Sequence, residues 1–430
     1  MDRLHGTIQP YAWGSTTAIA ELLGTEPTGE PQAELWLGAH PSAPARLDDR
    51  GLDEVIREDP EAVVGAASVA EYGPRLPYLL KVLAAAKPLS LQAHPSRAEA
   101  EEGFAREEAA GVAIDAPDRT YRDDWPKPEA LCSLGEMEAL VGFREPAETY
   151  RLFAELNVPA ALELVAPLRT GGAEALAEVF ERLLRMSDGE LELVDTVAAA
   201  AAEVIRAAAA AEVARAEAAA EAEADGDLGL FARTATELAE HYPRDAGVLA
   251  ALLMNRVSCG RHQAIFLPAG NLHAHLHGTF VEIMANSDNV LRGGLTPKHI
   301  DVPELLKLLD FTPGRPDLIE GVEQTPGVFA YPTPAPEFAL WRVESRSEPA
   351  TLPGEGSGRV VLCTDGTATL RSGNAELTLS RGQAAFLQAT DIDAEVQGDG
   401  TLFVAAPGID GSDQMTHPLN TGHPASERED

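Results

Sequence analysis

A run of helix-forming residues in the middle of the chain most constrains the fold. Residues 146–256 contain almost no β-branched runs, and 17 of the 27 residues from Ala198 to Ala224 are alanine. Alanine loses no side-chain entropy in a helix but buries little area, so we expect a locally stable, weakly packed helix with a structural role. The flanking segments have a different pattern. The sequence therefore predicts an α-helical insertion, residues 146–256, in a mainly β protein.

Residues 1–145 consist of short apolar runs separated by Pro and Gly, which predicts short strands with a few helices. One helix start is specific: Ser96 and Glu99 have the spacing of a capping box, which predicts a helix from about Arg97 to Ala110.

Strand signals return from His262, and residues 358–407 alternate apolar and polar residues between regularly spaced turns. This pattern predicts an antiparallel sandwich or barrel. The last twenty residues, from Gly411, are polar and rich in turn formers, so we expect a flexible C-terminal tail.

Composition narrows the class of protein. The 430 residues include 33 Lys and Arg against 69 Asp and Glu, a net charge of −36. This charge excludes nucleic acid and anionic membrane surfaces as expected partners, and the length suggests two or three domains. The three cysteines have no metal-binding or disulfide spacing, and no uncharged apolar stretch reaches membrane-span length. We expect a cytoplasmic protein.

Two short motifs offer ligands from an extended backbone. Gln92 and His94 are two residues apart, so on a strand both side chains face one side. Lys127 lies between two prolines and precedes Glu129, which favours a stiff, extended presentation of both charges. A polar strand edge and an ordinary proline turn are the structural alternatives.

A third motif contains His273, His275 and His277, which alternate along a predicted strand. Three imidazoles on one face suit zinc, iron, nickel or copper, and we expect one or two of them to bind a metal. A polar hairpin is the alternative. The loop that follows places Glu282, Asp288, Arg292 and Lys298 in a Gly/Asn/Asp-rich segment of the kind that often carries function, with surface turn chemistry as the alternative.

The sequences of these motifs, and their order along the chain, resemble those of one enzyme family. KPLSLQAHPS, KPE, LPAGNLHAH and VEIMANSDNVLRGGLTPKH, together with YAWGS and ELWLGAHPSAPA, are similar to the type I mannose-6-phosphate isomerases, also called phosphomannose isomerases. The resemblance spans residues 7–310, with the helical insertion inside it.

The resemblance implies a function and a set of site residues. It implies interconversion of mannose 6-phosphate and fructose 6-phosphate through an enediol(ate), with one Zn²⁺ per chain. The metal ligands would be Gln92, His94, Glu129 and His273. Arg292, Glu282, Lys127 and Asp288 would be catalytic, and Lys87, Ser90, His275 and Lys298 would bind substrate. Reasoning from the residues leaves the catalytic base open among Glu282, Asp288, Lys127 and His275.

Two positions depart from the family pattern. The family commonly has histidine before KPE, whereas this chain has Pro126. The family commonly has tyrosine two residues after the histidine ligand, whereas this chain has His275.

The resemblance also implies a cupin-like double jelly-roll. We expect a catalytic jelly-roll from residues 1–145 and 257–330, a second, metal-free jelly-roll from 331–410, and a monomer, with a homodimer as the alternative. Rival functions are a cupin-type oxygenase, an enzyme for another sugar, or a non-catalytic sugar-binding protein.

Overall fold

The computed structural model describes residues 1–217 and 226–409, so the predicted C-terminal tail and part of the alanine-rich stretch lie outside the described residues. None of the described helices is both long enough and apolar enough to span a membrane. The helices are α1 (Ala18–Leu23), α2 (Leu52–Glu58), α3 (Pro60–Val64), α4 (Ala66–Tyr72), α5 (Arg97–Ala109), α6 (Pro146–Leu156), α7 (Pro159–Leu164), α8 (Ala173–Leu184), α9 (Glu192–Glu217), α10 (Asp227–His241), α11 (Gly247–Ala251) and α12 (Val302–Leu308), with a 3-10 helix at Ala166–Arg169.

The strands outnumber the helices. They are β1 (Asp2–His5), β2 (Thr7–Gln9), β3 (Glu34–Gly38), β4 (Arg46–Leu47), β5 (Arg50–Gly51), β6 (Tyr78–Ala85), β7 (Leu91–Ala93), β8 (Glu129–Phe143), β9 (Met254–Cys259), β10 (Ala264–Leu267), β11 (His273–Ala285), β12 (Leu291–Gly294), β13 (Val322–Thr325), β14 (Val328–Tyr331), β15 (Ala339–Glu344), β16 (Ala350–Thr351), β17 (Arg359–Asp365), β18 (Thr367–Ser372), β19 (Ala375–Ser380), β20 (Ala384–Leu387), β21 (Glu395–Gly398) and β22 (Thr401–Ala406).

Two nine-stranded antiparallel sheets organise the β structure. The first sheet runs β10-β8-β11-β6-β3-β2, with β7 beside β11, β12 beside β7 and β9 beside β8. The second sheet runs β13-β14-β15-β22-β17-β20-β1-β4-β5. The N-terminal strand β1 therefore belongs to the sheet of the C-terminal half, a long-range pairing that the sequence patterns do not reveal. A third, four-stranded sheet has the order β16-β21-β18-β19.

The two large sheets share one apolar core. Leu80 and Val82 of the first sheet belong to the same buried cluster as Val360, Phe386 and Phe403 of the second. Side chains on alternate positions of each strand face this core, so the apolar period of two in both halves is explained by burial on one side. The coarse prediction of a mainly β protein with helices is confirmed.

Within the described residues, helices α6 to α11 lie between Pro146 and Ala251, and strand β9 begins at Met254. Pro146 occupies the first turn of α6, where its missing N–H costs nothing. The start of α9 is packed, because Val194, Val197 and Ala201 are buried. Helix α5 begins with the predicted capping box, in which the Glu99 carboxylate accepts a 2.9 Å bond from the Ser96 N–H.

Candidate active site

Three buried side chains from different strands of the first sheet converge on one point. They are His94, which follows β7, Glu129, which begins β8, and His273, which begins β11. His94 Nε2 lies 3.3 Å from one Glu129 oxygen, and His273 Nε2 lies 3.4 Å from the other. All three side chains are at most 3% exposed.

Backbone carbonyls fix the orientation of both imidazoles. His94 Nδ1 lies 2.8 Å from the carbonyl of Asn289, and His273 Nδ1 lies 3.0 Å from the carbonyl of Asn271. A carbonyl can only accept, so each Nδ1 carries the hydrogen and each Nε2 presents a lone pair to the carboxylate. Metal-bound histidines in proteins have this same outer hydrogen bond.

The cluster therefore fits a cation. Burial, helped by the charge of the neighbouring Lys127, lowers the pKa of His94 to about 4, so the imidazole is neutral near pH 7. Burial opposes ionisation of Glu129, but its neighbours, among them the Lys127 ammonium at 3.4 Å, hold its pKa well below the ordinary value. Within the described residues neither His94 Nε2 nor Glu129 Oε2 has a hydrogen-bond partner. Lone pairs that face each other in a buried site are stabilised by a metal ion, and nitrogen and oxygen donors suit zinc.

A second buried cluster adjoins the first. Glu129, His275 and Glu282 also bring their donor atoms together, but Glu282 already accepts an ion pair from Lys81 at 2.8 Å, with Glu34 at 3.6 Å from the same ammonium. Burial favours the neutral amine, yet the two carboxylates raise the pKa of Lys81 well above its ordinary value. Lysine thus supplies the positive charge in this second cluster.

A bend in β11 brings these residues together. An extended strand would separate His273 from Glu282 by about 30 Å. Instead, the pairing of β11 with β8 is irregular between His275 and His277 and again between Gly278 and Phe280. Gly278 has a φ of 119°, and an added Cβ would lie 2.7 Å from the Glu136 carbonyl, so only glycine fits this bend.

The clusters form the inner end of a cavity. A deep part of about 70 Å³ is lined by Glu129, His273, His275 and Glu282, and a wider part of about 360 Å³ extends outward. Gln92, Ser90 and Lys127 line both parts. Gln92 is opposite Arg292 in the β7–β12 pair, so that arginine lies beside the cluster.

Positive charge without a carboxylate partner marks the outer cavity. Neither Arg292 nor Lys298 forms an ion pair with a carboxylate within residues 1–217 and 226–409, although both line the cavity. Burial, together with Arg122, lowers the pKa of Arg292. Burial lowers the pKa of Lys298, and the positive charges of Arg292 and Arg122 lower it in the same direction. In a protein with a net charge of −36, such grouped cations form a local site for an anion.

Comparison with known proteins identifies the family. Residues 1–146 match the model of the phosphomannose isomerase type I catalytic domain. Over 411 residues the chain is 38% identical to the mannose-6-phosphate isomerase of Escherichia coli (strain K12), with 94% of this chain and 98% of that protein covered. The chain belongs to the type I phosphomannose isomerase family.

Solved structures of phosphomannose isomerases have the same fold. The apo form of mannose 6-phosphate isomerase from Salmonella typhimurium superposes with a TM-score of 0.83 and 34% identity, over 95% of this chain and 99% of that one. A zinc-bound mannose 6-phosphate isomerase superposes with a TM-score of 0.82 and 33% identity, over 94% and 98% of the two chains.

The structure brings together most of the residues that the phosphomannose isomerase resemblance selected. The cavity is lined by Gln92, Ser90, Lys127, Glu129, His273, His275, Glu282, Asp288, Arg292 and Lys298. His94 lies behind them, against Glu129. Lys87 is exposed and does not line either part of the cavity.

The expectation that three histidines share one face is wrong. The irregular pairing between His275 and His277 reverses the alternation of the strand. His277 is therefore exposed and pairs with Glu138 at 3.2 Å, away from the cluster. The hydrogen bond that His277 donates to this carboxylate raises the pKa of His277.

Sequence reasoning missed Lys81, Glu34 and His40. Lys81 and Glu34 are in apolar runs that predict strands, and a charged residue inside such a run needs a buried partner, which was the available signal. His40 Nε2 contacts Asp288 at 3.3 Å at the rim of the cavity, and this hydrogen bond lowers the pKa of Asp288. No local pattern around His40 indicates that contact.

Proposed function

We propose that this protein is a zinc-dependent mannose-6-phosphate isomerase, in which Gln92, His94, Glu129 and His273 hold the metal. The observation that carries this proposal is a cavity with two complementary ends. Buried acceptors suited to zinc lie at the inner end. The outer part is lined by Arg292 and Lys298, cations suited to a phosphate that have no carboxylate partner among the described residues. A sugar phosphate has the matching chemistry, with carbonyl and hydroxyl groups at one end and a dianion at the other.

Isomerisation moves a proton between C1 and C2 while the carbonyl shifts, through an enediol(ate). Zinc held by these residues would supply Lewis-acid chemistry toward the sugar oxygens. The chain itself supplies charge and position. Arg292 stays protonated under all ordinary conditions, so its role is to stabilise negative charge on the substrate. Lys298 would add to the binding of the phosphate.

Glu282 is the base that the geometry favours. Its carboxylate is 2% exposed, lines the deep cavity and is held by Lys81 at 2.8 Å. Asp288, by contrast, lies at the rim with half of its side chain exposed. His275 is 6% exposed, and neither ring nitrogen has a hydrogen-bond partner in the part of the chain that the structure describes. Such a buried imidazole is suited to a hydrogen bond with a sugar hydroxyl.

The rival functions have less support. Two imidazoles and one carboxylate are also the ligand set of non-haem iron oxygenases, so the donor set alone does not exclude one. However, an oxygenase site built from three co-facial histidines has no support, because His277 faces away from the cluster. The grouped cations around Arg292 also have no role in a reaction without an anionic substrate.

The decisive assay couples conversion of mannose 6-phosphate to the appearance of fructose 6-phosphate, with and without a chelator. We expect activity that the chelator abolishes and zinc restores. Oxygen consumption with Fe(II) and no isomerisation would favour the oxygenase instead, and sugar-phosphate binding without turnover would indicate a binding protein.

Arg292→Ala tests the role of charge within the same reaction. We expect kcat/KM to fall by about 10²–10³-fold while zinc content and the unfolding midpoint stay unchanged, because the side chain acts on developing charge rather than on the fold. Arg371→Ala, which removes a half-exposed arginine of the four-stranded sheet, is the control. Near wild-type turnover in Arg292→Ala would remove this residue from the mechanism.

We also propose the finer architecture that the family resemblance implies. It consists of a cupin-like double jelly-roll, with the helical insertion at 146–256, and of a metal-free second jelly-roll. Binding of one zinc per chain, a monomeric state and a cytoplasmic location complete the proposal. Elemental analysis and analytical ultracentrifugation test the first two of these.

A further inference from the structure

Two loops at the metal cluster are joined by a reciprocal set of hydrogen bonds. One loop comprises residues 122–125 and precedes Lys127 and Glu129, and the other comprises residues 287–289. The residue at the centre is Asn289, which has no exposed surface.

Both polar atoms of the Asn289 side-chain amide form hydrogen bonds to loop 122–125. Its oxygen accepts bonds from the backbone N–H groups of Arg122, at 2.7 Å, and Asp123, at 3.3 Å. Its amide nitrogen donates to the carbonyls of Asp123, at 2.8 Å, and Trp125, at 2.9 Å. No other side chain of this size offers two donors and an acceptor in one plane.

Loop 122–125 also accepts hydrogen bonds from loop 287–289. The Asp123 carboxylate accepts from the hydroxyl of Ser287 at 2.7 Å and from the backbone N–H of Asp288 at 2.8 Å. Each loop therefore fixes the backbone of the other, and neither can shift alone without leaving buried polar groups unpaired.

The fixed backbone reaches the metal cluster from two sides. The Asn289 carbonyl accepts the Nδ1–H of His94 at 2.8 Å, which leaves Nε2 free to face Glu129. On the other side, the loop 122–125 continues through Pro126 and Pro128, whose rings restrict the backbone, into Lys127 and Glu129. We call the hydrogen bonds between loops 122–125 and 287–289 the clasp. A displacement of the clasp would move two proposed ligands, His94 and Glu129, relative to each other.

We propose that Asn289 is a positioning residue that sets the zinc affinity of the site, acting through the orientation of His94 and the placement of Glu129. This inference rests on the proposed zinc site. The side-chain amide of Asn289 is required because it binds loop 122–125, while the backbone carbonyl of the same residue holds His94.

The test is the zinc dissociation constant of purified full-length protein, measured by competition with a chromogenic chelator. In Asn289→Ala the carbonyl remains but the clasp is lost, and we expect zinc to bind about 10–100-fold more weakly, the range typical of an outer partner of a metal ligand. With Co²⁺ as the bound ion, we expect an altered visible absorption spectrum, because the geometry around the metal changes.

Ser345→Ala is a control. Ser345 follows β15 of the second sheet and is also a buried polar residue, 8% exposed. Its hydroxyl donates to the Gly400 carbonyl and accepts from the Gly400 N–H, both at 2.8 Å, and neither residue lines the cavity. We expect a comparable loss of stability with an unchanged zinc dissociation constant. Asp123→Asn is the milder second variant, for use if Asn289→Ala does not fold, and it should weaken zinc binding in the same direction by a smaller factor.

Unchanged zinc affinity in the folded clasp variants, or an equal loss in Ser345→Ala, would overturn the positioning role. Failure of the proposed function has a different signature. In that case the wild-type protein would bind zinc, and the clasp variants would weaken it, without any interconversion of the sugar phosphates.

Discussion

The first and second sheets are both nine-stranded, antiparallel and packed on one shared core, yet they differ in what they bury. The first sheet encloses Glu34, Lys81, Glu129 and Glu282, which are bound to one another or face a cavity. In the second sheet Arg359 is fully buried, but its guanidinium donates to the backbone carbonyls of Pro353 and Asp391.

The two sheets differ in how their buried polar groups are hydrogen-bonded, and this difference decides which sheet can bind a ligand. Burial lowers the pKa of Arg359, and neutral carbonyls accept from both of its terminal nitrogens, so the atom that stays unpaired among the described residues is a donor, Nε. In the first sheet the atoms without a hydrogen-bond partner among the described residues include acceptors that lie close together, His94 Nε2 and Glu129 Oε2. The same sheet architecture therefore supports chemistry where unpaired acceptors meet beside a cavity.

The largest expected effect comes from replacing one buried carboxylate in each region with an amide. Glu129→Gln should abolish stoichiometric zinc and activity, because the amide cannot supply the negative charge between His94 and His273. Glu337→Gln, close to the second sheet, alters a carboxylate that is equally buried at 3% exposure and pairs with Arg97. We expect it to retain zinc by elemental analysis. Full zinc occupancy in both Glu129→Gln and His94→Ala would show that the ligand set is wrong.

The next test exchanges one buried cation in each sheet. Lys81→Met leaves Glu282 and Glu34 as unpaired buried charges, which costs about 3–5 kcal/mol of unfolding free energy. Arg359→Met leaves only carbonyls without their donor, at about 1–3 kcal/mol. Denaturant unfolding of both variants measures the difference. If Arg359→Met costs as much as Lys81→Met, the two kinds of burial are energetically alike.

The smallest expected effect concerns His262, whose carbonyl accepts the Tyr331 hydroxyl and whose ring lies 6.3 Å from Phe403, where the two sheets meet. Burial, with the charges of Arg342 and Arg261, lowers the pKa of His262 to about 4. The unfolded chain binds this proton near pH 6.5 and the folded chain only near pH 4, so stability falls as pH decreases through that window.

His262→Asn should reduce this pH dependence, and asparagine tolerates the positive φ of 68° at this position. Unfolding free energies of wild type and variant between pH 7 and pH 4.5 provide the measurement. Parallel curves would show that His262 titrates alike in the folded and unfolded chains.

The local sequence determined the elements and most of the chemistry. Helix-forming residues indicate the segment that contains α6 to α11, and the Ser96 capping box predicts the start of α5. The sequences of the motifs selected Gln92, His94, Glu129 and His273. These features depend on neighbouring residues, which propensity and spacing report directly.

Only the tertiary structure decided which side chains meet. The irregular pairing between His275 and His277 turned His277 outward, and the bend at Gly278 brought Glu282 to Glu129. The pairing of β1 with β20 joined the N-terminal strand to the sheet of the C-terminal half. Lys81 appears in the sequence only as one charge in an apolar run, and its partners Glu34 and Glu282 come from other strands. Such contacts depend on strand register and curvature, which are set by packing across the whole sheet and not by any local stretch of sequence.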